Sequence, residues 1–288
     1  MINESTKWGT ISGVWGDIIV SLGYFKEKIG HGNIIYLGNN KAIVDFLSCQ
    51  DFIHEVKQIP ESIVNAENWN QYWMQAVFSP DSKIDDMFPY LSSGISKDII
   101  VPTHITYKLM QPDQPVVQWS GGNLPVYAKD WASEYRKQLP KWFFIFQPYS
   151  LNSNPLHRHW NYWKYLALQL ESYTPHAYVT VGTNWFPVMK NKVYDTPQFH
   201  NMVDKIPDMA CVMALAELSS GIITTSNSLA HWAQVQSIPS VVICNKTSSR
   251  DEYMYRRVLE WPSLTVLHHD SSLDDAFNTV GERLFCQV

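Results

Sequence analysis

From Ser219 to Asn245 the chain reads SSGIITTSNSLAHWAQVQSIPSVVICN. Gly221 to Thr225 is a short β-branched run, which predicts a buried strand. Ser226, Asn227 and Ser228 follow. All three favour helix starts, because their side chains accept from free backbone N–H groups. Leu229, Trp232, Ala233 and Gln236 are then spaced as a short helix, Pro239 breaks it, and Ser240 to Cys244 reads as the next strand. The stretch is a β-α-β unit with a polar loop at the C-terminal end of its first strand. Ligands of open α/β sheets sit at that edge. A helix start there offers N–H groups and a positive dipole end to an anion, most naturally a phosphate. An ordinary helix cap without a ligand gives the same pattern.

The chain opens on a second unit of this kind. Thr10 to Val14 is expected as a strand, Gly16-Asp17 as the end of its turn, and Asn33 to Leu37 as the following strand. Between them Ile18, Leu22, Phe25 and Ile29 form one apolar helical stripe, ended by Gly30 and Gly32. The glycines do not spell the dinucleotide fingerprint, and no phosphate-loop motif occurs. Asp17 has two readings. It is a favourable dipole partner in a first helical turn, or a carboxylate held at the functional edge to take a proton.

A helix and strand follow over Lys41 to Ile59. Residues 60–128 carry frequent prolines and read as long loops with helical and extended pieces, among them strands at Ile99 to Val101 and Val116 to Trp119. Lys129 to Leu139 reads as a helix ended by Pro140. Trp142 to Phe146 is a strand apolar on both faces, as in the middle of a parallel sheet. A helix over Trp160 to Ser172, a strand over Ala177 to Val181, a helix capped by Asp208, a strand over Leu264 to Leu267 and a helix over Leu273 to Phe285 complete the second half. The expected fold is α/β, with two Rossmann-like doubly wound domains facing each other across a cleft. They span residues 1–138 and 139–288, the second with about five strands.

Composition excludes several classes. A net charge of −5 gives no broad nucleic-acid footprint. The four cysteines are scattered, with no CxxC pair, as expected of reduced thiols in the cytoplasm. No apolar run approaches membrane-spanning length, and MINESTKWGT is no signal peptide, so any membrane contact is peripheral. Neither His157/His159 nor His268/His269 has a nearby ligand set, so no metal and no cofactor is expected. Aromatic residues make up 14%, a content found in clefts that stack sugars or bases and also in plain packing.

Taken together, the two polar turns resemble those of glycosyltransferase family 9, the lipopolysaccharide heptosyltransferases, which have the GT-B fold. The carrying residues are Gly16-Asp17-Ile18-Ile19, then Phe144 to Ser150, then Arg158-His159-Trp160 with Trp163 and Leu166, and last Ser226-Asn227-Ser228-Leu229-Ala230-His231 with Ala233 and Pro239. The resemblance runs over most of residues 10–270. The last run matches the family's Asp-Thr-Gly-x-x-His, except that Ser226 stands for the Asp and Ser228 for the Gly.

The resemblance implies a metal-independent, inverting transfer of a sugar from a nucleotide-diphosphate donor to an acceptor hydroxyl. Asp17 is then the general base. Ser226, Asn227, Ser228, Ser150 and Arg158 hold the donor diphosphate. Trp15 and Gly16 lie on the acceptor side. His231 is a phosphate contact or a packed core histidine, and Trp15 stacks on a substrate or simply packs. Lys246 and Arg250 reach the nucleotide or form a solvated rim. The acceptor is a saccharide of lipopolysaccharide type, another hydroxyl acceptor, or, less in keeping with the charge, a hydroxylated nucleobase. The changed turn also fits a GT-B-like protein that binds nucleotide or glycan without turnover. A sugar-nucleotide epimerase would want more charged residues in the cleft.

Overall fold

The computed structural model describes residues 7–11, 13–38, 40–58, 100–102, 119–148, 160, 162–182, 196–244 and 262–287. The chain divides into two compact units, Met1–Pro125 and Val126–Val288. Among the described residues every strand pair is parallel.

In the first unit β1 (Trp8–Ile11), α1 (Trp15–Lys28), β2 (Gly32–Tyr36), α2 (Lys41–Ser48), β3 (Ile53–Gln58) and β4 (Ile100–Pro102) build a four-stranded sheet ordered β3-β2-β1-β4. Strand β2 is buried along its whole length, whereas β3, at the edge, turns His54 and Glu55 to solvent. Ile18, Leu22 and Phe25 of α1 are fully buried, so the stripe predicted for this helix faces the core. The first strand ends earlier than expected. Gly13 takes φ +104, which stops the extended run and leaves Val14 as the cap of α1.

The unit closes with residues 119–125, which are stitched to its body. The Trp119 Nε1–H donates to the Ile19 carbonyl at 2.7 Å. Asn123 N–H donates to Gln50 Oε1 at 3.0 Å, and Gln50 Nε2–H returns a bond to the Asn123 carbonyl at 2.8 Å. The expected strand over residues 116–119 lies outside the described residues except for Trp119, which is in irregular backbone.

The second unit begins at once with α3 (Val126–Arg136). It continues through β5 (Phe143–Gln147), α4 (Trp163–Tyr173), β6 (Ala177–Thr180), β7 (Phe199–Asn201), α5 (Met209–Glu217), β8 (Ile222–Thr225), α6 (Ser228–Gln236), β9 (Ser240–Ile243), β10 (Leu264–Leu267) and α7 (Leu273–Leu284). Among the described residues the sheet has six strands where about five were expected, ordered β10-β9-β8-β5-β6-β7. The additional one, β7, is a three-residue edge strand whose Phe-His-Asn has no alternation to announce it.

Phe144, Phe146, Tyr178, Ile223, Val241 and Ile243 fill one face of the sheet, against Trp163, Leu166 and Leu170 of α4 and Ala276, Val280 and Leu284 of α7. Helices α5 and α6 pack together on the other side, α6 against β8 and β9. Helix α3 packs on α5 with Ala128 and Ala132 fully buried. The Tyr127 hydroxyl donates to Asp208 Oδ2 at 2.7 Å. The helix expected to close the first domain at residue 138 thus belongs to the second unit.

Candidate active site

Each sheet has one place where the strand order reverses. In the first it lies between β1 and β4, in the second between β5 and β8. In open α/β sheets the crevice that takes ligands lies beyond the C-terminal ends of the strands at such a point. The residues singled out above from the two polar turns lie at these two points.

At the first crevice the chain leaves β1 through Gly13 and enters α1 at Trp15, which places Trp15, Gly16 and Asp17 in the first helical turn. The carboxylate of Asp17 folds back and accepts from the Val14 N–H at 3.3 Å. Val14 has no side-chain acceptor to complete the reciprocal box, so Asp17 alone serves this helix start. Burial pushes the Asp17 carboxyl above the ordinary carboxylate range, and the Val14 N–H offsets only part of this. The helix dipole favours the ionised form, and removal of water around the half-buried carboxylate acts against it. Trp15 packs against Phe46 of α2, with ring centroids 5.4 Å apart at 60°, and stays half-exposed. One part of the indole is core and the other faces solvent.

At the second crevice Asn227 is the cap of α6. Its Oδ1 accepts from Leu229 N–H at 2.9 Å and Ala230 N–H at 3.2 Å. Its Nδ2–H donates to Thr224 Oγ1 at 2.9 Å, and Thr224 in turn donates to the Gln147 carbonyl at 3.0 Å. Thr224 and Gln147 are register partners, so this chain of bonds ties the start of α6 to the ends of β8 and β5. The Asn227 side chain is therefore spent on positioning the turn. Capping accounts for two of the four N–H groups that a helix start leaves open. The backbone of Asn227 and Ser228 and the hydroxyls of Ser226 and Ser228 are the groups left to meet an anion, and all three residues are half-buried.

His231 is 6% exposed, and burial lowers its pKa to about 4. It is neutral at physiological pH. As a phosphate contact it has a hydrogen bond to give and no charge. Its Nδ1 has no hydrogen-bond partner among the described residues.

Three further residues at this edge escaped the sequence reading: Gln147, Thr180 and Thr225 end β5, β6 and β8. Gln147 Oε1, Thr180 Oγ1 and Thr225 Oγ1 are buried without a hydrogen-bond partner among the described residues. Buried polar atoms are normally paired, so this edge carries unspent bonding capacity. The available signal was the polar residue closing each otherwise apolar run.

Ser150, Arg158, Lys246 and Arg250 lie outside the described residues, as do His157 and His159. His268 pairs with Asp270. Among the described residues no group of three or more His, Cys, Asp or Glu side chains is placed to hold a metal, and no helix is long and apolar enough to cross a membrane.

No family model matches the sequence, and no curated protein matches it by sequence. Solved structures do match. The glycosyl transferase family 9 structure from Veillonella parvula is 11% identical with a TM-score of 0.63, over 94% of this chain and 89% of that one. The ADP-heptose lipopolysaccharide heptosyltransferase II of E. coli is 12% identical with a TM-score of 0.64, over 98% of this chain and 99% of that one.

The chain has the fold of these glycosyltransferases. At this identity the likeness concerns the fold, an α/β architecture with parallel sheets, as the resemblance implied. Each residue's role has to be argued from its own chemistry.

Proposed function

We propose that the protein is an inverting, metal-independent glycosyltransferase that uses a nucleotide-diphosphate sugar. The observation that carries the reading is the Asp17 carboxylate held at the reversal point of a parallel sheet, in a chain with a glycosyltransferase fold.

In this reading the second unit binds the donor. The N–H groups of Asn227 and Ser228 and the hydroxyls of Ser226 and Ser228 face the diphosphate, and Ser150 and Arg158 complete its partners. His231 adds one neutral hydrogen bond. Trp15 and Gly16 border the acceptor. Asp17 removes the acceptor hydroxyl proton as that oxygen attacks the anomeric carbon. The carbon–oxygen bond to the diphosphate breaks, and the nucleoside diphosphate leaves with the electron pair. Donors fixed at a helix start act on the charge that grows during this step, so they favour the transition state over the bound donor. They take the part a divalent cation would play, so activity is expected to survive EDTA. A carboxyl whose pKa burial has raised is a stronger base once ionised, which suits proton removal near neutral pH.

A second reading is a protein of this fold that binds a nucleotide or a glycan without turnover. Ser226 and Ser228, in place of the family's Asp and Gly, favour it.

A thermal-shift panel of nucleotide sugars and nucleoside diphosphates tests donor binding, starting with ADP-sugars because the E. coli neighbour is named for ADP-heptose. Ligand at a hundred times its Kd stabilises by about 2.7 kcal/mol, a readable shift. Release of nucleoside diphosphate with a hit and an acceptor then separates the two readings. No hit with any nucleotide sugar would refute the first. A hit that is never turned over would establish the second.

A further inference from the structure

Gly13 stands four residues before Asp17 and is absent from every motif discussed above. A Cβ built on it would lie 2.5 Å from Asp17 Oδ2 and 2.7 Å from Asp17 Cβ. The first overlap could be relieved by rotating the carboxylate. The second could not, because Cβ moves only with the helix backbone. Gly13 also holds φ +104, where a side chain is strained whatever the space. Two independent constraints therefore require glycine, and both concern the approach of α1 to the turn that precedes it.

The outcome of that approach is a seated carboxylate. Oδ2 lies on the turn and accepts from Val14 N–H at 3.3 Å. We propose that Gly13 is a positioning residue for the proton-accepting group: it lets Asp17 lie back on the β1–α1 turn with Oδ2 tied to Val14, so that Oδ1 is the oxygen that takes the acceptor proton. The inference rests on the reading of Asp17 as the base and adds which atom acts and what holds it. Fixing one oxygen removes the rotation that would otherwise exchange the two, so the free oxygen keeps one direction. Displacements of about 1 Å at such a group cost on the order of 10²-fold in rate.

The test uses the full chain labelled with 15N-valine, with the Val14 signal assigned from its loss in Val14→Ile. In the wild type the Val14 amide should move with pH along the titration of Asp17, and in Asp17→Asn that movement should vanish. In Gly13→Ala the amide should no longer follow the carboxyl, and turnover should fall about 10²-fold. The Gly13→Ala, Asp17→Asn double variant should turn over no more slowly than Asp17→Asn alone, because both changes act through one group.

A wild-type Val14 amide that ignores Asp17 would overturn the proposal, and so would losses that multiply in the double variant. If Gly13→Ala does not fold, the comparison of wild type with Asp17→Asn still decides whether the carboxylate is seated. If Val14 reports the seating but Asp17→Asn retains full turnover, the seat stands and the assignment of Asp17 as base falls.

Discussion

Replacing Asn227 by Ala should destabilise the second unit by an amount set by the bonds its side chain makes. The substitution removes the Oδ1 that accepts from Leu229 and Ala230 at 2.9 and 3.2 Å, and the Nδ2–H that reaches Thr224 at 2.9 Å. Loss of a helix cap costs about 1 kcal/mol, within a range of about 0.5–2. Loss of the donor to the fully buried Thr224 adds about 0.5–1.5 kcal/mol, because its hydroxyl oxygen loses its partner away from water. The total is about 1.5–2.5 kcal/mol. In a unit of this size each kcal/mol lowers Tm by about 2–4 °C, so a fall of about 3–10 °C is expected by differential scanning calorimetry. Asn227→Thr keeps a capping oxygen and should fall by about half as much. A shift under about 2 °C for Asn227→Ala, or equal shifts for Ala and Thr, would refute the idea that this side chain works as a cap. Asn227→Asp separates stability from binding: it keeps the capping oxygen and suits the helix dipole, loses only the Nδ2–H bond to Thr224, and adds a negative charge beside the proposed diphosphate. A fall in Tm smaller than that of Asn227→Ala, with a nucleotide hit lost, is the expected pair of results.

Asp17→Asn should lower turnover by about 10²–10⁴-fold, the usual worth of general-base catalysis, and leave the dissociation constant of the donor unchanged; normal turnover, read from nucleoside diphosphate release, would place the base elsewhere. Activity should persist in EDTA, and complete loss reversed by Mg²⁺ would contradict the role given to the start of α6. His231 has its folded pKa lowered to about 4, below the unfolded value, so the unfolded chain takes the proton more readily. Its contribution is full above pH ~6.5 and is lost as pH falls toward ~4, amounting to about 2 kcal/mol at pH 5. Denaturant midpoints at pH 5 and 7.5 should therefore lie closer together in His231→Gln than in the wild type, and an unchanged gap would show that His231 is not buried as a neutral ring.

Much of the second unit was legible because its signals are local. The apolar runs at Phe143–Gln147, Ala177–Thr180, Ile222–Thr225 and Ser240–Ile243 are short, bounded and buried, and Leu264–Leu267 is short and half-buried. Asp208 and Asn227 cap the helices their residue types announce. What stayed hidden depends on distance. The bond from Asn123 to Gln50 spans 73 residues, so no window of sequence contains it. The packing of α3 on α5 is equally remote, and Pro140 looked like a boundary only because a helix ends before it. The burial of Asp17 was not legible for a related reason. The helix dipole is visible in a pattern, whereas burial depends on what else arrives around the carboxylate. Gly13 is legible as the start of the turn that ends in Gly16-Asp17, but its constraint is a contact, and spacing alone does not reveal a contact.

The stitching of residues 119–124 fixes where this protein can be cut. Leu124 is buried in the first unit, and α3 starts at Val126 with its first turn bonded to Asp208. The first unit ends at Pro125 and the second begins at Val126. A fragment begun at residue 126 keeps the cover of α5. One begun at residue 139, where the sequence suggests a domain edge, would strip α3 away and open the surface of α5 that Ala128 and Ala132 now close. For anyone dissecting the protein into halves, a shift of thirteen residues in the chosen start decides whether this apolar surface of α5 stays covered, and an uncovered apolar surface invites aggregation.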